Sequence, residues 1–91
     1  MTPRLLSWIA QATHGRLLGE DRAVDAIATD TRALPRGAAL FVALKGERFD
    51  GHAHVQAAAD GGCVAVLVAH PVEVAVPQVV VADTERALAS L

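Results

Sequence analysis

Apolar positions along the chain follow two rhythms. Leu5, Leu6, Trp8, Ile9 and Ala12 recur at the spacing of one helical face. Thr2 is placed to cap the free N–H groups of that helix, with Pro3 at its first position. Gly15 closes it, and His14 suits the negative end of its dipole. After a polar turn at Gly19-Glu20-Asp21-Arg22, the residues Val24, Ile27 and Ala28 predict one short strand running into Thr29-Asp30-Thr31-Arg32. Leu34-Pro35-Arg36-Gly37 then reads as a tight turn.

Further along, the rhythm changes to continuous apolar runs of strand length. Ala39 to Leu44, Val64 to Val68 and Gln78 to Ala82 are expected to be strands buried on both faces. Between the first two, Asp50 can cap a helix running from about His52 to Asp60, which Gly61-Gly62 would end. Strand, helix and strand within about 30 residues make a βαβ unit with parallel pairing and a right-handed crossover. The fold class is therefore α/β, a small three-layer domain with a largely parallel sheet. Asp83 caps a last helix, and the chain stops inside it with no Gly, Asn or Pro to end it. This predicts a domain over residues 1–83, with 84–91 as the start of a helix leading into further chain.

Composition narrows the function classes. The 91 residues suffice for one domain. They are 53% hydrophobic and carry a net charge of −2, which excludes a disordered chain. Aromatics are only 3%, so there is no stacking ladder for nucleic acid. No apolar run reaches the roughly 18 residues of a membrane span, and no secretory leader is evident. The expected setting is cytoplasmic, with neither membrane nor nucleic acid as partner. The single cysteine, Cys63, forbids an internal disulfide. It reads as a buried thiol rather than a nucleophile.

Two segments could carry chemistry. The loop Lys45-Gly46-Glu47-Arg48-Phe49-Asp50-Gly51-His52 follows a buried strand and precedes a helix, where ligands bind in open α/β sheets. Lys45 and Arg48 could neutralise phosphate, and the glycines would let a ligand approach the backbone. The same residues also fit a solvated loop with a helix cap. Thr29-Asp30-Thr31-Arg32 fits equally a turn with local hydrogen bonds or a hydroxyl offered to a base edge. His52 and His54, two apart on a helix, point to different faces and make a poor chelating pair. No P-loop and no Gly-x-Gly-x-x-Gly signature occurs, and no metal site or catalytic residue is indicated.

Taken in order, Thr29-Asp30-Thr31-Arg32, Pro35-x-Gly37 and the run from Leu40 to His52 resemble the N-terminal domain of the Mur ligases. The likeness continues through the Ala-rich helix, Gly61-Gly62, Val64–Val68, Pro77 and Asp83-Thr84. Thr31 with the full Lys45–Asp50 run is most similar to members that add D-alanyl-D-alanine. Members that add the third peptide residue, diaminopimelate or lysine, usually carry Asp-Ser-Arg instead.

The resemblance implies a domain that holds the uridine end of UDP-N-acetylmuramoyl-tripeptide. By match to the family, Thr31, Lys45, Gly46, Glu47, Arg48 and Phe49 are the candidate substrate-binding residues, with Lys45 and Arg48 for the diphosphate. Asp30, Arg32 and Asp50 would brace the loops. His54 stands where the family usually has an aromatic such as Phe; if it faces the core, packing behind the loop changes. The resemblance also implies a parent enzyme that uses ATP and Mg2+ to convert the substrate carboxylate to an acyl phosphate, whose phosphate is displaced by the amine of D-alanyl-D-alanine. No cofactor is expected in these 91 residues. The other class open to the chain is a non-catalytic interaction module.

Overall fold

The computed structural model describes residues 2–91. Its centre is a five-stranded sheet made from the apolar runs. β4 (Ala26–Ala28), β5 (Ala39–Val42), β6 (Ala65–Val68) and β7 (Gln78–Val80) lie side by side and parallel. A further strand, β2 (Arg16–Leu18), joins β7 antiparallel and gives the order β2-β7-β6-β5-β4. The α/β class and the mostly parallel sheet are thus as expected from the runs. The strands are shorter than predicted, and beyond Val42 and Val80 one further bond continues each pairing, Ala43 N–H to Leu67 O and Val81 N–H to Val68 O.

Alternation along each strand sorts the core into two halves. Leu40 and Val42, Ala65 and Leu67, Val79 and Val81 face one side, with Leu6 and Ile9 of α1 (Leu6–Ala12) and Ala87 of α3 (Thr84–Ala89). Phe41, Ala43, Val66 and Val68 face the other, with Val55 and Ala58 of α2 (Val55–Asp60). Each large residue buried this way stabilises the fold by about 1.5–3 kcal/mol, so both faces must be covered. Only α2 among the three helices covers the second face. The remainder is sealed by Leu34 from the β4–β5 loop and by Val72, Val74 and Val76 from the β6–β7 loop.

Several local expectations need correction. Residues Arg4–Leu5 form a short strand, β1, paired antiparallel with β3 (Ala23–Val24), so the first helix begins at Leu6 and not at Thr2-Pro3. Thr2 is not its cap. The first free amides are met by the neighbouring turn, with Leu6 N–H donating to Arg22 O and Ser7 N–H to Asp21 Oδ1. Leu5 and Trp8 are exposed instead of packed, and the Arg4 guanidinium lies 4.5 Å from the Trp8 ring centroid. The predicted strand around Val24–Ala28 is two strands in different sheets, parted at Asp25. His14, at φ 56°, takes the left-handed position after α1 that Gly15 was expected to fill. Gly15 is needed for a different reason: a Cβ there would stand 2.7 Å from both Val80 O and Val81 Cγ1.

Other signals hold. Asp50 accepts from His52 N–H and opens a 3-10 turn, Gly51–His54, that leads into α2. Gly62, at φ 105°, ends α2: Cys63 N–H reaches Ala58 O and Gly62 N–H reaches Ala59 O. Asp83 caps α3 through Arg86 N–H, and the buried Thr84 hydroxyl donates to Ala43 O at 2.7 Å.

The loop from Ala69 to Pro77 has no helix, and one buried side chain holds it. The Gln78 amide accepts from Val72 N–H at 2.8 Å and donates to Val72 O at 2.9 Å, as a neighbouring strand would. Gln78→Leu keeps the bulk and leaves both backbone groups of Val72 without this partner. It is expected to lower unfolding free energy by about 2 kcal/mol in denaturant titration. Gln78→Glu should not restore it, since a carboxylate cannot donate to Val72 O. Unchanged stability in Gln78→Leu would show that the clamp contributes nothing.

Candidate functional site

The loops leaving β4 and β5 meet across an open cleft of about 580 Å3. Thr29, Asp30, Thr31 and Arg32 supply its polar side. Phe41 and Leu44 come from β5 and the residues after it, and Phe49 and His54 from the next loop and turn. Apolar surface with a few convergent polar groups is the usual make-up of a small-molecule site.

The polar side is held by its own ion pair. Asp30 Oδ1 accepts from Arg32 N–H at 2.9 Å and from Nε at 3.0 Å, and Oδ2 accepts from Nη2 at 2.8 Å. Asp30 O also receives Ala33 N–H at 3.2 Å, which closes the turn. The Arg32 side-chain hydrogen bonds, then its backbone N–H, hold the Asp30 carboxyl down at about 2. Asp30 in turn raises the Arg32 guanidinium. One carboxylate thus ties together the turn that carries Thr31.

The candidate loop folds back as a tight hairpin. Gly46 N–H donates to Phe49 O at 2.7 Å, Gly51 N–H to Leu44 O at 2.6 Å, and Lys45 opposes Asp50 in an antiparallel bridge. Alternation then divides its side chains. Leu44 and Phe49 line the first cleft. Lys45 and Asp50 line a second cleft of about 320 Å3 on the other side, with His52, His70, Asp83 and Glu85. Glu47 and Arg48 stand at the exposed tip, outside the lining of either cleft. Of the two loop glycines, only Gly46 is open to a ligand, with nothing within 4 Å of where a Cβ would be. At Gly51 that space meets the chain's own backbone at Ala43 and Leu44.

The six candidate binding residues are therefore not one surface. Thr31 and Phe49 share the first cleft, while Lys45 belongs to the second. Phe41 and Leu44 are lining residues that the sequence reading did not single out, and His54, noted there only as a departure from the family, lines the cleft as well. His54 faces the cleft and not the core, with its ring 5.6 Å from Phe49 and 15° from parallel. The aromatic usual at that position in the family was the available signal. His52 points elsewhere, against His70, so the two histidines do diverge. Asp50 lies below the usual carboxylate range because the His52 backbone N–H, and then its ring, bond to it. Cys63 is buried and its thiol pushed up by burial, which leaves it a poor nucleophile. Among the described residues, no three His, Cys, Asp or Glu side chains are grouped to hold a metal. No helix among them is long and apolar enough to cross a membrane.

The Asp30–Arg32 pair has a defined pH window. A depressed carboxylate contributes order above its unfolded value, and the contribution is lost as pH falls through the folded one. Carbon-detected NMR should show Asp30 titrating near 2, with residues 29–33 keeping their shifts down to about pH 4. Arg32→Ala should return Asp30 toward the ordinary 3.8. An Asp30 midpoint near 3.8 in the wild type would remove the pair as the brace of this loop.

Comparison with known proteins places this geometry. A family model described as "Mur ligase family, catalytic domain" matches residues 23–91. The chain is 46% identical over 86 residues to the UDP-N-acetylmuramoyl-tripeptide–D-alanyl-D-alanine ligase of Escherichia coli (strain K12), a match covering 94% of this chain and 19% of that protein. It is 41% identical over 68 residues to the UDP-N-acetylmuramoyl-L-alanyl-D-glutamate–2,6-diaminopimelate ligase of Halalkalibacterium halodurans, covering 75% of this chain and 14% of that protein. A crystal structure of MurF from Acinetobacter baumannii superposes with a TM-score of 0.88 at 36% identity, over 100% of this chain and 20% of that one. The chain thus spans about a fifth or less of the length of these relatives. On the sequence model, on identity and on fold alike, the chain belongs to the Mur ligase family.

Proposed function

We propose that the chain binds the uridine end of UDP-N-acetylmuramoyl-tripeptide, as the substrate-recognition domain of an ATP-dependent ligase that adds D-alanyl-D-alanine. The observation that carries the reading is the first cleft, which sets the paired rings of Phe49 and His54 opposite the Thr31 loop. A pyrimidine base is planar, apolar on its faces and polar at its edge. Its face can lie on the rings while its edge meets the Thr31 hydroxyl and nearby backbone amides. The volume of about 580 Å3 falls in the range of small-molecule sites, about 300–1,000 Å3.

The diphosphate would run outward over the hairpin. Arg32 is already committed to Asp30, so Arg48 at the tip and Lys45 on the far side remain to meet its charge. Gly46, with open space above it, lets a ligand come close to the backbone. Thr31 and the Lys45–Asp50 run favour the D-alanyl-D-alanine-adding reading over the diaminopimelate-adding one. In this proposal residues 1–83 recognise the nucleotide, and 84–91 lead toward a central domain that supplies ATP and Mg2+ binding. The setting is the bacterial cytoplasm, in the assembly of the peptidoglycan precursor.

Titration with UDP-N-acetylmuramoyl-tripeptide, followed by NMR or calorimetry, tests the reading. Shifts are expected in residues 29–32 and 44–54. Phe49→Ala should weaken binding by about ten- to a hundredfold, as loss of a base-stacking ring does. Thr31→Ala, which removes one hydrogen bond, should weaken it by about three- to tenfold. A ligand response that avoids both segments would sink the assignment. The 91 residues contain no Gly-x4-Gly-Lys-Ser/Thr phosphate loop. ATP-dependent ligation is accordingly expected to be undetectable with this chain alone, and turnover in a coupled phosphate-release assay would overturn that division of labour.

A further inference from the structure

At the carboxyl end of the sheet, one side chain touches three residues and joins two segments of the chain. His52 follows the hairpin, and its side chain is only 8% exposed. Both ring nitrogens are engaged. Nε2 accepts from Ala69 N–H at 2.9 Å, and Nδ1 lies 2.7 Å from Asp50 Oδ1. Ala69 is the first residue after β6, and the ring face lies on His70, with centroids 4.4 Å apart and planes 17° from parallel.

A backbone N–H can only donate, so the Ala69 contact determines the state of the imidazole. Nε2 must present its lone pair, which puts the ring proton on Nδ1, where it donates to Asp50. The same Asp50 oxygen takes His52 N–H at 3.0 Å, so the carboxylate is tied to the 3-10 turn and to the ring together. Asp50 also opposes Lys45 in the hairpin, and the other face of that hairpin carries Leu44 and Phe49 into the first cleft. An unbroken line of contacts therefore runs from the end of β6, through His52 and Asp50, to the position of Phe49. A ring present only to fill space would need neither nitrogen.

We infer that His52 is a positioning residue: by bonding Asp50 and the Ala69 amide together, it locks the hairpin of residues 44–51 to the end of β6 and sets where Phe49 stands in the cleft. It need not touch the ligand. The strap follows from the fold alone, while its effect on ligand rests on the uridine reading above.

His52→Phe separates the two explanations, because it keeps a ring of similar bulk and the stack on His70 but removes both nitrogens. In the wild-type chain, nitrogen NMR should show His52 protonated at Nδ1 and bare at Nε2. In His52→Phe the amides of Gly46, Gly51 and Ala69 should exchange at least about tenfold faster, the scale of losing one such bond. The contact between the Phe49 and His54 rings should weaken with them. Affinity for UDP should fall by a similar factor, with the melting curve of the remaining core nearly unchanged. His52→Ala should behave like His52→Phe; if it fails to fold, the tautomer and the Phe variant still decide. A proton on Nε2 would overturn the inference, as would His52→Phe with wild-type exchange at the hairpin. Loosening of the hairpin in a chain that ignores UDP in its wild-type form would leave the strap standing and bring down the uridine reading.

Discussion

The parallel pairing of β5 with β6, sealed on both faces, is the constraint on which the rest of the structure depends. Leu40, Phe41, Val42, Val66, Leu67 and Val68 are all essentially without solvent contact. Two such strands cannot shift in register by one residue without exchanging every core position between the two halves. Their carboxyl ends are therefore fixed points. The segments leaving those ends, Lys45 onward and Ala69 onward, are where both clefts open. The crossover helix α2 lies between them in sequence and returns the chain to the start of β6 through its glycine-ended turn.

Within that frame, the hairpin of residues 44–51 acts as a partition. Its alternation gives one cleft an apolar, aromatic wall and the other a charged one, from a single stretch of eight residues. The partition also separates two electrostatic situations. On the Thr31 side the lining holds one guanidinium, Arg32, and Asp30 neutralises it at close range. On the other side Lys45 sits among Asp50, Asp83 and Glu85, a mixed field with no excess of positive charge. A ligand in the first cleft would therefore be held by shape, stacking and directed hydrogen bonds more than by net charge.

The sheet was legible from the chain because long apolar runs have few alternatives to a buried strand. The short strands were not. Arg16–Leu18 and Arg4–Leu5 have too few residues to show a period, and they are strands only because β7 and Ala23–Val24 lie beside them. The helix start was misplaced for a related reason. Thr2-Pro3 has the local chemistry of a cap, but Asp21, fourteen residues beyond Ser7, supplies the acceptor. At the candidate site, the residue types of the Thr29–Arg32 and Lys45–His52 segments were readable, and so was the cap at Asp50. Their sorting into two clefts was not, because that depends on Gly46 pairing with Phe49 across a turn. His54 shows the same limit: its neighbours in sequence suggest a helix face, and only the fold reveals that the face looks onto Phe49.

The Gln78 clamp has a consequence for how this domain can vary over time. It grips Val72 by its main chain alone, so the grip is indifferent to the side chain at that position. Substitutions along the β6–β7 connection are therefore judged on how they cover the sheet, and not on whether they keep the loop in place. Length is judged more strictly. The residue gripped lies six positions before the one that grips, and an insertion between them would have to bulge outward or surrender the contact. One buried amide thus makes this connection permissive in spelling and exacting in number.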